Sequence, residues 1–206
     1  MSKIDLEKLE DSQFDVLKEI GNIGAGNATT ALATMLNIKV DMSVPNVALL
    51  PFDNISSFIG SEEQTVVGIL LEIQGDGMMM FLFDMKSAHH LVNSLMMRDV
   101  HQDENGMADF SEMEMSALNE IGNIVSGSYL SALSGLTGMK MVSSVPALSI
   151  DMLGALLSVP AIEFGKYGDK LLMIQSEFGE DDFVTGYFLL IPELESYDKI
   201  LTSLGM

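Results

Sequence analysis

The sequence predicts an α/β (α+β) fold: one duplicated domain with pseudo-two-fold symmetry, in which two long repeat helices cover a shared, largely antiparallel sheet. Three observations lead there. The run "EIGNIGAGN" at 19–27 returns as "EIGNIVSGS" at 120–128. Each copy sits in a segment of helical period. Each is followed by two apolar runs joined by turn residues, the signature of a hairpin and so of antiparallel pairing.

The repeat is ungapped over its core. At a constant offset of 101 the halves share Leu17/Leu118, Glu19/Glu120, Ile20/Ile121, Gly21/Gly122, Asn22/Asn123, Ile23/Ile124, Gly26/Gly127, Ala31/Ala132, Leu32/Leu133, Lys39/Lys140, Ser43/Ser144, Val44/Val145 and Pro45/Pro146. A period of about a hundred residues is too long for a solenoid repeat. It implies two half-repeats, about 1–100 and 101–206, within a single domain spanning 1–206.

The elements follow in order. Residues 5–36 have a helical period, and "IKVDMSV" at 38–44 reads as extended, closed by Pro45. "NVALLPFDNISSFIG" holds a short strand and a short helix. "TVVGILLEI" and "MMMFLFDM" are strands around the turn "QGDG", and "KSAHHLVNSLM" is a helix. The acidic stretch 98–109 reads as the joint between halves. In the second half a helix covers about 110–137, "KMVSSV" leads to Pro146, and "LSIDMLGALLSV" reads as a short helix with Pro160 near its end. "KLLMIQSEF" and "FVTGYFLLI" are strands around "GEDD", and "ELESYDKILTSLG" is a last helix stopped by Gly205.

Composition excludes several classes of function. With 206 residues, 48% of them hydrophobic, the chain can bury a substantial core. A net charge of -20 argues against nucleic acid and anionic membranes as partners, since both require Lys and Arg to neutralise phosphate. The absence of cysteine removes disulfides, zinc–thiolate sites and thiol nucleophiles, and suits a reducing cytoplasm. "MSKIDLEKLEDSQ" has no apolar core for a signal peptide. The apolar run "MMMFLF" at 78–83 is too short to span a bilayer. The histidines are His89, His90 and His101; the first two are adjacent and face different directions on a helix, which makes a poor metal site.

The glycines do not form a phosphate loop. Gly21, Gly24 and Gly26 have G-x-x-G-x-G spacing after a helical segment, whereas a dinucleotide fingerprint needs G-x-G-x-x-G after a strand. No Gly-Lys-Ser/Thr follows, and the second copy replaces Gly24 by Val125. At about 100° per residue, Gly21, Gly24, Ala28, Ala31 and Met35 instead share one side of a helix, with Gly122, Val125 and Ala132 repeating it. Asp15, Glu19, Asn22 and Gly26 share the other side, repeated by Ser116, Glu120, Asn123 and Gly127. Small residues on the first side allow close packing. Gly26 and Gly127 leave bare helix beside the polar groups, a smooth floor for a docking partner.

The chemistry open to this cluster is narrow. No histidine stands near either motif, Ser116 has no base, and one firm carboxylate per site does not make a glycosidase pair. An Asn amide both donates and accepts hydrogen bonds, so it can orient a water. That suffices for phosphoryl transfer, where positioning and electrostatics dominate. A carboxylate there must pair with a cation on the substrate. The site therefore makes sense if the substrate is a protein bringing a metal, a lysine and a labile phosphate.

The pattern Asp/Ser-x3-Glu-x2-Asn-x22-Pro, met as Asp15, Glu19, Asn22 and Pro45 and again as Ser116, Glu120, Asn123 and Pro146, resembles that of the CheC chemotaxis phosphatases, in the superfamily with CheX and FliY. The resemblance spans nearly the whole chain. It implies a cytoplasmic hydrolase of two-component signalling that dephosphorylates the aspartyl phosphate of the response regulator CheY. Asn22 and Asn123 would align the attacking water, and Glu19 and Glu120 would form salt bridges to a regulator lysine. Asp15, Ser116, Pro45 and Pro146 would be supporting motif positions. The regulator would supply Mg²⁺, and this chain would bind no cofactor or metal. Relatives also bind the receptor deamidase CheD through a segment similar to "SIDMLGALLS" at 149–158, which points to Asp151. A different class stays open: a non-catalytic flagellar-switch or scaffold module that binds phosphorylated CheY. The net charge gives no long-range steering towards a phosphoprotein, and Lys18 is the lone cation in either cluster.

Overall fold

The computed structural model describes residues 11–36, 41–42, 46–74, 77–99, 109–164, 170–179, 184–192 and 194–203. The elements run α1 (Asp11–Leu36), β1 (Asp41–Met42), β2 (Asn46–Pro51), α2 (Phe52–Ile59), β3 (Thr65–Ile73), β4 (Gly77–Asp84), α3 (Met85–Leu95), α4 (Glu112–Thr137), β5 (Ala147–Met152), α5 (Leu153–Phe164), β6 (Lys170–Gly179), β7 (Val184–Pro192) and α6 (Leu194–Ser203).

Every named strand pair is antiparallel. The seven-stranded sheet has the order β1-β6-β7-β4-β3-β5, and β2 also pairs with β6. The repeat is visible in the pairing. β2 of the first half lies on β6 of the second, from Asn46↔Gln175 to Pro51↔Lys170. Its counterpart β5 lies on β3 of the first half, from Thr65↔Met152 to Leu70↔Ala147. Each half thus lends a strand to the other. The halves meet along β4 and β7, where Phe81 faces Phe188.

The sheet is covered on both sides. Strand residues alternate between faces, and β4 divides accordingly: Met79, Phe81 and Phe83 join one core cluster, Met78, Met80 and Leu82 the other. The first cluster includes Ile20, Ala25, Ala28 and Leu32 of α1, Leu118, Ile121, Val125 and Tyr129 of α4, and Leu91 and Val92 of α3. The second includes Ile55 of α2 and Leu153, Leu156 and Leu157 of α5. A strand buried on both faces reads as a continuous apolar run rather than an alternating one, which accounts for "MMMFLF".

The helices begin and end on ordinary signals. α3 is capped by Asp84, whose carboxylate accepts from the Ser87 N–H. α4 opens on a capping box: the Ser111 side chain accepts from the Glu114 N–H, and the Glu114 side chain accepts from the Ser111 N–H. It closes at Gly138 in the left-handed conformation, φ 68°.

One expectation needs correction. "LSIDMLGALLSV" is not one helix: residues 147–152 form β5, and the helix runs from Leu153 to Phe164 with Pro160 inside it. "KMVSSV" leads to Pro146 as expected and contributes one bridge, Ser143 to Ile73. Of "IKVDMSV", the described part is the two-residue β1, while 38–40 and 43–44 lie outside the described residues, as do Pro45, 100–108 of the joint and Gly205.

Candidate functional site

Both motif clusters sit on the exposed faces of the two longest helices, α1 and α4, which pack against each other. Asp15 and Glu19 are exposed, with Asn22 and Gly26 half-buried beside them. On α4, Ser116, Glu120, Asn123 and Gly127 are all exposed. The inward side matches the small-residue expectation at Gly21, Gly24, Ala28, Gly122, Val125 and Ala132, which are buried; Ala31 and Met35 are only partly so.

The glycines divide into two kinds. A Cβ on Gly24 would lie 2.4 Å from the Tyr129 ring, and one on Gly122 would lie 2.7 Å from Cγ2 of Ile69. These two are packing positions, one against the partner helix and one against the sheet. Tyr129 stands in α4 where Ala28 stands in α1, and Val125 where Gly24 stands, so the large ring of one half is matched by the missing side chain of the other. Tyr129 is held against Phe188 and Phe81, with ring centroids 4.0 and 6.1 Å away. Gly26 and Gly127, in contrast, would meet nothing within 4 Å. Among the described residues, no packing contact calls for a glycine at either place.

The polar side chains are unencumbered. Among the described residues, the side chains of Glu19, Asn22, Glu120 and Asn123 make no hydrogen bond or ion pair. The helix carbonyls beside them are occupied: Thr30 donates to the Gly26 carbonyl at 3.0 Å and Ser126 to that of Asn123 at 3.0 Å. Residues three apart on a helix have Cβ atoms about 5–6 Å apart, so each Glu–Asn pair presents one carboxylate and one amide to the same approaching surface. Lys18 lies over the Phe14 ring, 4.7 Å from its centroid.

The other singled-out positions fall elsewhere. Asp151 is exposed on β5, opposite Val66, and its carboxylate accepts from the Met152 N–H at 2.7 Å where the chain turns into α5. Pro146 is half-buried between the Ser143 bridge and β5. His89 is buried and stacked on Phe110 with centroids 4.0 Å apart. Met113, on the outward line of α4 and 69% exposed, was not marked by the sequence, since an isolated methionine reads as a core residue.

The fold is shared with solved structures of FliY and of the FliM middle domain. The crystal structure of Thermotoga maritima FliY superimposes with a TM-score of 0.73 at 21% identity, covering 96% of this chain and 98% of that one. The FliM middle domain from H. pylori does so with a TM-score of 0.70 at 12% identity, covering 95% and 99%. At these identities the likeness is one of fold. The CheC-like family model matches residues 13–49 and 113–150, one stretch in each half. The CheY-P phosphatase CheC of Bacillus subtilis (strain 168) is 34% identical over 204 residues, 96% of both chains. The chain belongs to the CheC-like family.

Proposed function

We propose that the protein is a phosphatase that hydrolyses the aspartyl phosphate of phosphorylated CheY, at one site on α1 and one on α4. The observation that carries this reading is the duplicated Glu–Asn pair on the outer faces of both helices, exposed except for the half-buried Asn22, without a side-chain partner among the described residues, and beside a glycine whose Cβ position is open. The activity in the name of the B. subtilis relative supports it.

The Asn amide at position 22 or 123 holds a water in line with the phosphorus. The water oxygen bonds to phosphorus as the P–O bond to the aspartyl carboxylate breaks, releasing carboxylate and inorganic phosphate. Glu19 and Glu120 dock on a lysine of the regulator, which places an otherwise repulsive carboxylate beside a cation. The charge-neutralising Mg²⁺ belongs to the substrate. A second contact, between CheD and the β5–α5 segment, has Asp151 at its centre. The exposure of Asp151, Met152 and Val159 supports it.

The test is phosphate release from phosphorylated CheY with wild type, Asn22→Ala, Asn123→Ala and the double variant. Positioned groups of this kind contribute roughly 10²-fold or more. Partial activity in each single variant, with the double variant falling to the regulator's own rate, is the expected result. Wild type leaving that rate unchanged would turn the two faces into docking surfaces of a scaffold. For CheD, Asp151→Lys is expected to weaken binding, and unchanged affinity would remove the contact.

A further inference from the structure

The two sites are not equivalent at their N-terminal ends. Along α4 the positions 113, 116, 120, 123 and 127 recur at steps of three and four, so Met113 continues the line of the motif. Met113 is 69% exposed. At the matching place in α1 stands Ser12, also exposed.

A second methionine flanks the same end of α4. Met97 is 85% exposed and has φ 54°, a left-handed conformation that residues with a side chain seldom adopt. Its neighbour Arg98 is ion-paired at 2.5 Å with Glu114, the neighbour of Met113. That bond ties the end of α3 to the first turn of α4. The fold thus holds two apolar side chains in water at one end of one site, one of them on strained backbone.

We infer that Met113 is a specificity contact for the phosphorylated regulator at the α4 site, covering an apolar side chain of that partner, and that its absence from α1 makes the α1 site the weaker binder. The inference rests on the phosphatase reading. Its chemistry is that of an unbranched thioether that adapts to a partner's surface. Its reach is ordinary: ten residues of helix put Met113 about 15 Å from Asn123, well within one protein–protein contact.

The experiment uses single-site proteins. In Asn22→Ala, which leaves the α4 site, Met113→Ser is expected to raise KM for phosphorylated CheY about tenfold, equivalent to 1.4 kcal/mol, while kcat holds. In Asn123→Ala, which leaves the α1 site, Ser12→Met is expected to lower KM. Affinity for CheY loaded with beryllium trifluoride is measured in parallel and should shift the same way. Both changes are at exposed positions, and an unchanged melting curve confirms folding. Hydrolysis with no dependence of KM or affinity on residue 113 overturns the inference and leaves the phosphatase standing. Binding that depends on Met113 without any hydrolysis overturns the phosphatase and leaves the contact. Neither binding nor hydrolysis overturns both.

Discussion

Gly24 and Gly26 stand two residues apart in one helix and answer to different constraints. Gly24 is a steric necessity of the Tyr129 ring, while Gly26 faces open space. A helical Gly→Ala change normally stabilises by about 1 kcal/mol. Gly26→Ala should therefore raise the urea midpoint, yet lower phosphate release in an Asn123→Ala background, because a methyl group fills the floor of the α1 site. Gly24→Ala should destabilise by about 1–3 kcal/mol as the ring or helix is displaced. A Gly26→Ala protein with full activity would reduce the glycine to an accident. The opposite orientation of the two glycines was legible from helical spacing alone. What Gly24 packs against was not, since Tyr129 lies on another helix and only the fold brings it there.

At the scale of the element, the start of α4 is held by charge as well as by capping. The Glu114 carboxyl is lowered from 4.5 to about 2, chiefly by the Ser111 hydroxyl and N–H; burial opposes this, and Arg98 lowers it further. A depressed folded-state pKa contributes stability that is present above 4.5 and lost as pH falls towards 2. The difference in unfolding free energy between wild type and Glu114→Gln should be constant from pH 7 to about 5 and shrink below it. Ser111→Ala removes the cap and should cost about 1 kcal/mol, read from urea denaturation at pH 7. The strand β5 marks the limit of legibility at this scale. Leu148, Ser149, Ile150, Asp151 and Met152 do alternate, and the repeat offset carries "NVALLP" onto "ALSIDM". The apolar run that follows, "LGALLSV", masked the change of period by making the segment look like one helix. The edge of β3, which accepts these residues, is what makes them a strand.

The whole molecule is built by exchange. β3 and β4 of the first half need β5 and β7 of the second along their outer edges, and β6 needs β2. A chain of residues 1–100 alone would leave the apolar run of β4 unpaired along one edge, a hazard for aggregation. Such a fragment is expected to show no cooperative urea transition by circular dichroism, and mixing with residues 101–206 should restore one. A fragment that unfolds cooperatively by itself would mean that the halves are independent folding units. The same exchange sets α1 and α4 side by side on one face of the sheet, so the two repeated Glu–Asn motifs present themselves from one layer.

The sequence by itself determined the duplication, the helical faces, the hairpins and the candidate residues Glu19, Asn22, Glu120 and Asn123. Those follow from local periodicity and from comparison of the chain with itself, which need no knowledge of distant contacts. Tertiary structure alone decided that β2 and β5 cross to the opposite halves, that Tyr129 occupies the space of the absent Gly24 side chain, and that Met113 and Met97 stay in solvent. Each depends on which surfaces meet across long stretches of chain, and hydrophobic burial, being non-directional, does not write that choice into any single segment.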